Sequence, residues 1–425
     1  MLARDFEEFC SNIKLDNKED MESTVKDITK KLNKHYYDLD DAVEHMHTVG
    51  SVGRTTAIKN TSDLDILFEL PQSVYDRIND NEGNKQSQLL QEVKNVLKDR
   101  YPNTDLRGDG QVVVINFSKY TVELVPAFKN DDDSYKYPDS NEGGKWRNTN
   151  PLPEIEKCLE IDDQTSGNFT NICHMLRAWK NKAGFKFKGL LIDTLTNNFL
   201  NNNEQYKNCN YEDYLNLIKD LFLYLKSQNK EQEFWHAIGS NQKVYDDGRF
   251  IRKAAKTYEE IKDLEADTER INKKLRKVFG REFPKRDEEE TQNKYNYDNT
   301  EEFIEDRYQI DIILNVQLKC IVTQDGFRPT DLRALKFLKK NRKLEFEIEN
   351  KSELVKNGVE HIIWKVKNEG EIAEKRNHIR GQLLMTDRYN REENTSFEGP
   401  HYVEVYVIKK NICVGKGRVD VNIAP

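Results

Sequence analysis

In the first third of the chain, the spacing of hydrophobic and polar positions changes from one segment to the next. Residues 5–45 place apolar side chains at helical spacing and predict one or two amphipathic helices. In residues 63–70, polar and apolar side chains alternate from Asp63 to Ile66, and this pattern predicts a strand that ends at Pro71. The remaining segments predict an amphipathic helix over 85–100, a hairpin over 111–128 that turns at Ser118-Lys119, and a long polar loop over 129–153.

The pattern then changes twice. Residues 151–248 are almost wholly helical in periodicity, and a charged helix follows over 257–276. After an acidic, asparagine-rich linker, short alternating strands punctuated by turn residues predict an all-β sandwich. The fold class is therefore α+β, with four parts: a core of mixed sheet and helices at 1–150, a helical subdomain at 151–280, a linker at 281–302 and a smaller β-rich domain at 303–425.

Composition limits the protein class. The chain of 425 residues is long enough for more than one domain, and 33% of its residues are charged. No apolar run approaches the roughly 20 residues needed to cross a bilayer, and no signal peptide is visible, so we expect no membrane insertion. The six cysteines form no Cys-x-x-Cys pair, which fits the reducing cytoplasm. A net charge of −8 argues against a protein that wraps a long nucleic-acid template.

The candidate chemistry lies between residues 50 and 65. Gly50-Ser51 is followed, after eleven intervening residues, by Asp63-Leu64-Asp65. On a strand, Asp63 and Asp65 leave the same face and can share a divalent cation, for which carboxylates are natural ligands. A Gly-Ser turn lets backbone amides and a hydroxyl approach a phosphate, and Arg54 and Thr56 add donors nearby.

A third carboxylate is predicted on the hairpin. In the strand YTVELVPAF, Val122 and Leu124 share one face, and Glu123 lies on the other with Thr121 and Val125. Glu123 is either a third metal ligand or part of a solvated outer face of an edge strand. Two divalent ions held by such a trio clamp the oxygens of a phosphoryl or nucleotidyl transfer.

These motifs resemble those of the polymerase-β-type nucleotidyltransferases, and more narrowly the bacterial relatives of cyclic GMP-AMP synthase and oligoadenylate synthetase. Their pattern is a Gly-Ser turn, Asp-x-Asp, and a third acidic residue before Val-Pro-Ala-Phe. Glu123 occupies the third position, where the family more commonly has Asp. The tail, through EEFIEDRYQIDI, WKVKNEGEIA and NTSFEGPHYVEVYVI, resembles the C-terminal sensor domain found with such enzymes in bacterial defence loci.

The resemblance implies a metal-dependent enzyme that joins ribo- or deoxynucleoside triphosphates into a short cyclic or linear oligonucleotide signal. It implies two Mg²⁺ or Mn²⁺ ions on Asp63, Asp65 and Glu123, and a separate effector protein, soluble or membrane-bound, in anti-phage defence. In MLRAWK, Arg177 occupies the position of a basic residue that contacts the nucleotide, and Gly189 replaces a serine. The implied nucleotide-binding residues are Gly50, Ser51, Arg54, Thr56, Arg177, Lys180 and Lys188.

Several alternatives stay open on the sequence. The basic residues around Lys180 also fit a solvated helix end, and Trp179 fits packed core. The enzyme could transfer a nucleotide to a protein or tRNA as a toxin, or to its own Tyr295 or Tyr297, or the chain could be a non-catalytic nucleotide sensor. In the tail, a ligand groove and an ordinary core are both compatible with six polar or aromatic residues: Trp364, Asn368, Arg380, Thr395, Gly399 and His401.

Overall fold

The computed structural model describes residues 1–268, 270–286, 300–324, 326–335, 338–396 and 398–424. Most of the predicted linker, and Tyr295 and Tyr297 within it, lie outside the described residues. The described chain forms two compact units. The first comprises Met1–Ala178 and Lys188–Tyr258, and the second comprises Trp179–Phe187 and Glu259–Pro425.

The elements up to residue 261 include both helices and strands. In chain order they are α1 (Leu2–Asn12), α2 (Lys18–Tyr36), β1 (Met46–Thr48), α3 (Gly50–Gly53), β2 (Asp63–Glu69), α4 (Gln72–Asn79), α5 (Lys85–Lys98), β3 (Asp105–Asp109), β4 (Val112–Asn116), β5 (Thr121–Lys129), β6 (Tyr135–Asp139), β7 (Lys145–Thr149), α6 (Leu152–Gln164), α7 (Asn168–Ala183), α8 (Gly189–Asn202), α9 (Tyr214–Lys226), β8 (Phe234–His236), β9 (Lys243–Tyr245) and α10 (Arg249–Ile261).

A seven-stranded sheet organises the first unit. Its strands run in the order β1-β2-β5-β4-β3, and β6 and β7 continue from β5 as a hairpin. Strands β2 and β5 are parallel, whereas the other pairs are antiparallel. One face of the sheet packs its apolar side chains, Leu64, Ile66 and Leu124 among them, against helices α2, α4 and α5. The opposite face of β2 and β5 carries the candidate carboxylates.

The polar segment 129–153 differs from its prediction as a loop. It contains the β6–β7 hairpin, in which Tyr135 pairs with Thr149 and also with Lys129 of β5. Its strands carry charged residues and a proline, so they lack the apolar alternation by which sequence patterns reveal strands. The hairpin is stabilised instead by pairing with β5 and by the burial of Tyr135. A second short hairpin, β8–β9, interrupts the segment predicted to be almost wholly helical.

The second unit is the predicted β-rich tail together with short helices. Its elements are α11 (Ile271–Phe279), β10 (Gln309–Asn315), β11 (Leu318–Thr323), β12 (Thr330–Asp331), β13 (Lys343–Ile348), α12 (Lys351–Lys356), β14 (His361–Asn368), α13 (Glu371–Lys375), β15 (Arg380–Met385), β16 (Asn390–Asn394), β17 (Gly399–Lys409) and β18 (Ile412–Ile423).

These strands form two sheets, ordered β10-β18-β17-β14-β15 and β12-β11-β13-β16. A shared core that includes Phe346, Trp364 and Val405 joins their inner faces, so the predicted all-β sandwich is confirmed. Trp179 also belongs to this unit and is packed core, with its ring centroid 4.9 Å from that of Phe185. Among the residues that the structure describes, no helix is long and apolar enough to cross a membrane.

Helix α7 buries a histidine in the first unit. His174 is 4% exposed, and its Nε2 lies 3.2 Å from the carbonyl oxygen of Thr55. Burial, and then the charge of Arg177, lower the pKa of His174 from 6.5 to about 4. Between these two pH values His174 binds a proton in the unfolded chain but not in the folded chain. The free energy of unfolding therefore falls as the pH falls from 6.5 to 4.

We predict that replacing His174 with Gln weakens this pH dependence. Between pH 7 and pH 5, wild type should lose about 2 kcal/mol of unfolding free energy through His174, and the His174→Gln protein should be spared that loss. Urea unfolding followed by tryptophan fluorescence at both pH values measures it. His35→Gln, at an exposed histidine, should behave as wild type does. An unchanged loss in His174→Gln would contradict the prediction.

Candidate active site

The candidate carboxylates meet on two neighbouring parallel strands. Asp63 and Asp65 lie on β2 and Glu123 on β5, and the pairing register sets Asp65 directly opposite Glu123. All three side chains are half-buried, whereas Leu64 and Ile66 between and beyond the aspartates are fully buried. The predicted parity of both strands is therefore confirmed. At the usual sheet spacing of about 4.8 Å, Asp65 and Glu123 are therefore neighbours across the two strands.

The donor set fits a divalent ion that is completed by other ligands. Among the described residues, no three His, Cys, Asp or Glu side chains form a metal cage by themselves. Mg²⁺ does not need such a cage, because it commonly takes one or two carboxylates and fills its shell with water and substrate phosphate oxygens. The three half-buried carboxylates on one sheet face match that mode of binding.

The Gly-Ser turn is pressed against Asp65. The amide of Val49 donates to the Asp65 carbonyl oxygen at 2.9 Å, and the short helix α3 begins at the next residue, Gly50. Gly50 has a φ of +63°, and a Cβ there would lie 1.9 Å from Asp65 Oδ2. Only glycine allows the backbone and the carboxylate to approach this closely. The structure thus brings the turn that begins at Gly50 against the Asp65 carboxylate.

Three of the predicted nucleotide-binding residues meet elsewhere, around a buried aspartate. Asp193 on α8 is fully buried and accepts hydrogen bonds from Arg54 Nε at 2.9 Å and Thr56 Oγ1 at 3.1 Å. Arg177 donates to both of its carboxylate oxygens, from Nη1 at 2.7 Å and Nη2 at 3.1 Å. Arg177 also donates to the carbonyl oxygens of Cys173 and Gly189. In the structure the donors of Arg54, Thr56 and Arg177 are therefore directed at protein acceptors.

Charge balance explains why this cluster is buried. Burial alone would raise the pKa of Asp193, but the guanidinium groups of Arg177 and Arg54 hold it below its usual value. Glu154 on α6 lies 3.6 Å from Arg54 and accepts a hydrogen bond from Ser240 at 2.7 Å. Burial raises the pKa of Glu154, against the lowering effects of Ser240 and Arg54. Two cations therefore face two carboxyl groups, as buried charges require.

The two predicted lysines lie in different places. Lys188 is exposed and immediately precedes α8 in the first unit. Lys180 belongs to the second unit, where its Nζ lies 3.7 Å from Asp311 Oδ1. Gly189, which stands where relatives often have serine, accommodates Arg177, because a Cβ at this position would lie 3.1 Å from Arg177 Nη2.

The polar residues suggested as a ligand groove in the tail make structural contacts. Trp364 is fully buried and donates from Nε1 to the Arg388 carbonyl oxygen at 2.9 Å. Thr395 is buried and accepts from the Arg342 amide at 2.8 Å. Asn368 lies 2.9 Å from His401 Nδ1. These contacts support the core interpretation of Trp364 and Thr395.

Sequence reasoning missed Asp193, His174 and Glu154. Asp193 carried a usable signal, because it is a single carboxylate inside the apolar run GLLIDTL, the same signal that marked Glu123. His174 and Glu154 carried none, because histidines and glutamates on helices are commonly exposed. Their partners, Thr55 and Arg54, are remote in sequence.

Comparison with solved structures identifies proteins of similar fold. The E. coli MS115-1 CdnC structure with ATP shares 17% identity with this chain, covering 67% of it and 99% of CdnC, with a TM-score of 0.53. The E. coli MS115-1 CdnC:HORMA-deltaN complex gives 17% identity over 66% of this chain and 98% of that one, with a TM-score of 0.50. At this identity the likeness shows the fold. No curated protein sequence matches the chain.

Two family models match the sequence itself. Residues 1–161 match the Second Messenger Oligonucleotide or Dinucleotide Synthetase (SMODS) domain. Residues 298–424 match the Adenylyl/Guanylyl and SMODS C-terminal sensor domain. The first matched domain contains the strands β2 and β5, and the second contains the β-rich tail. The chain therefore carries a SMODS nucleotidyltransferase domain followed by the Adenylyl/Guanylyl and SMODS C-terminal sensor domain, the domain composition of a bacterial nucleotidyltransferase of the cyclic GMP-AMP synthase and oligoadenylate synthetase type.

Proposed function

We propose that this enzyme acts in the bacterial cytoplasm and joins nucleoside triphosphates, without a template, into a short cyclic or linear oligonucleotide signal. The observation that carries the proposal is the register of β2 and β5, which sets Asp65 opposite Glu123 while Gly50 lies against the Asp65 carboxylate. A phosphate turn beside three carboxylates is suited to nucleotidyl transfer, which depends on positioning and charge neutralisation more than on covalent chemistry.

In the proposed reaction, a hydroxyl oxygen of the acceptor bonds to the α-phosphorus of a triphosphate. The bond from that phosphorus to the oxygen that bridges it to the β-phosphate breaks, pyrophosphate leaves with that oxygen, and the hydroxyl proton passes to water. Asp63, Asp65 and Glu123 would hold two Mg²⁺ or Mn²⁺ ions, which supply neutralising charge to the attacking and leaving oxygens. The amides of the turn and the Ser51 hydroxyl orient the phosphates, with Lys188 adding a cation at the start of α8.

The remaining predicted residues are assigned supporting parts. Arg54, Thr56 and Arg177 act on the nucleotide through the turn they hold, since their donors are directed at Asp193 and at backbone carbonyls. Lys180 stays a predicted nucleotide contact. The product, on this proposal, controls a separate effector protein, soluble or membrane-bound, in anti-phage defence.

The reaction products test the proposal. The purified chain is incubated with Mg²⁺ or Mn²⁺ and with all four ribonucleoside and four deoxynucleoside triphosphates. Products are then treated with phosphatase and nuclease and resolved by mass spectrometry. A phosphatase-resistant product of ring mass identifies a cyclic signal, and a ladder with free ends identifies a linear one. Transfer of labelled nucleotide to a macromolecule in cell extract, without soluble oligomers, would favour the toxin-type alternative instead.

We predict that Asp65→Asn reduces turnover by about 1,000-fold or more, because a neutral amide would replace a charged ligand and weaken binding of the metal ion that neutralises the transferred phosphate. Glu123→Asp should keep partial activity, since a shortened side chain retains the charge. Pyrophosphate release measures both effects. Glu69→Gln is the matched control, because Glu69 is half-buried on the same face of β2 and pairs opposite Ala127 rather than a carboxylate. Wild-type turnover in Asp65→Asn would refute the metal assignment.

We predict that Gly50→Ala lowers turnover about 100-fold, because its Cβ would displace the Asp65 carboxylate. Gly110→Ala separates this displacement from backbone strain. Gly110 has a φ of +64°, close to the +63° of Gly50, but a Cβ there would meet no atom nearer than 3.8 Å. Pyrophosphate release and the thermal midpoint are measured for both proteins. The prediction fails if the two substitutions lower turnover equally.

A further inference from the structure

The loop that follows the Gly-Ser turn folds back onto the turn. The amides of Thr56 and Ala57 both donate to the Ser51 carbonyl oxygen, at 2.9 and 3.1 Å, and the Arg54 amide donates to the Gly50 carbonyl oxygen at 3.1 Å. The position of residues 54–57 therefore fixes the position of Gly50 and Ser51. Whatever holds this loop also holds the turn.

The backbone of this loop contains an unfavourable residue. Thr55 has a φ of +59°, and a β-branched side chain rarely adopts the left-handed region. Such a conformation persists only where the surroundings impose it. On one side of Thr55, Arg54 is bound to Asp193, and on the other side Thr56 is bound to the same carboxylate. The Thr55 carbonyl oxygen itself faces His174 Nε2.

We infer that Asp193 is a positioning residue of the nucleotidyltransferase site, which holds the Gly50-Ser51 turn against the carboxylates through Arg54 and Thr56. The inference rests on the proposed function and deepens it. Asp193 is fully buried and receives four hydrogen bonds from Arg54, Thr56 and Arg177. It therefore acts without touching substrate, and its effect reaches the nucleotide through the loop.

The cluster joins the turn to three helices. Asp193 belongs to α8, Arg177 to α7, and Glu154, which faces Arg54, to α6. Gly189 takes part by having no side chain, because a Cβ there would crowd Arg177 Nη2. A helix is far stiffer than a loop, so binding at three helices converts a strained loop into a fixed support. This geometry supports a positioning role for Asp193, because its hydrogen bonds reach the loop that holds the turn. A purely structural role would require no such link between Asp193 and the turn.

Thr56→Val provides the test, because replacing Asp193 itself leaves two buried guanidinium groups without their carboxylate and endangers the fold. Thr56 is fully buried, so its hydroxyl cannot bind a nucleotide, and valine removes only its bond to Asp193. Thr29→Val is the matched control. Thr29 is also fully buried, donates to the Val25 carbonyl oxygen at 2.7 Å, and lies on α2 away from the turn.

We expect both valine variants to lose thermal stability to a similar extent. Only Thr56→Val should raise the KM for the triphosphate about tenfold and lower kcat about tenfold, measured by pyrophosphate release well below both thermal midpoints. Thr56→Ser, which keeps the hydroxyl, should restore both parameters. If Thr56→Val matches Thr29→Val in KM and kcat, the positioning role is refuted while the proposed function stands.

A double-mutant cycle assigns the effect to Asp193. In an Asp193→Asn protein whose circular dichroism matches wild type, adding Thr56→Val should change KM and kcat by less than twofold, because the two act through one contact. A full additional tenfold change would overturn the route through Asp193. A wild-type chain that neither binds a non-hydrolysable triphosphate nor releases pyrophosphate refutes the proposed function itself, and the inference falls with it.

Discussion

The parallel pairing of β2 with β5 is the constraint on which the candidate site depends. A parallel pair cannot be closed by a tight turn, so helices α4 and α5 and strands β3 and β4 all lie between the two strands in sequence. The pairing sets one carboxylate opposite another, an arrangement that is unfavourable for like charges in a sheet. On the proposed function a divalent cation would remove that cost, so the same geometry would favour the binding of metal. Apolar packing of the other face against α2 and α5 keeps the register from slipping.

A second constraint is the contact between Gly50 and Asp65. Gly50 packs directly against Asp65, because no side chain would fit between the turn and that carboxylate. The turn therefore has two supports. It packs against the carboxylate of Asp65, and it is hydrogen-bonded to the loop of residues 54–57. The loop in turn depends on Asp193 and His174, which belong to the helices that follow the sheet in sequence. In this way the helical part of the first unit contributes to the geometry of a site built on strands.

The sequence allowed the sheet face to be predicted better than the helical cluster. A period of two decides which face Asp63, Asp65 and Glu123 share, and that decision needs only local information. The partners of Arg54 and Arg177 could not be predicted in the same way, because a guanidinium binds a phosphate and a carboxylate with the same fork of donors. Arg54 lies 139 residues before Asp193, so their pairing depends on tertiary structure. The β6–β7 hairpin was missed for a related reason, because its pairing with β5 compensates for a polar sequence.

Because Arg54 and Arg177 are buried against Asp193, the positive charge that would bind a nucleotide has to come from other groups. A triphosphate carries several negative charges, and the sheet face adds three carboxylates of the same sign. With both guanidinium groups directed at Asp193, Lys188 is the cation left among the predicted nucleotide-binding residues of the first unit, beside the neutral donors of the turn and Ser51, and divalent ions would supply further opposing charge. The ions would then neutralise both the carboxylates and the phosphates. Without ions, the negative charges of the carboxylates and the phosphates would repel each other. Nucleotide and metal should therefore bind as one cooperative event, in which each ligand supplies the charge that the other needs.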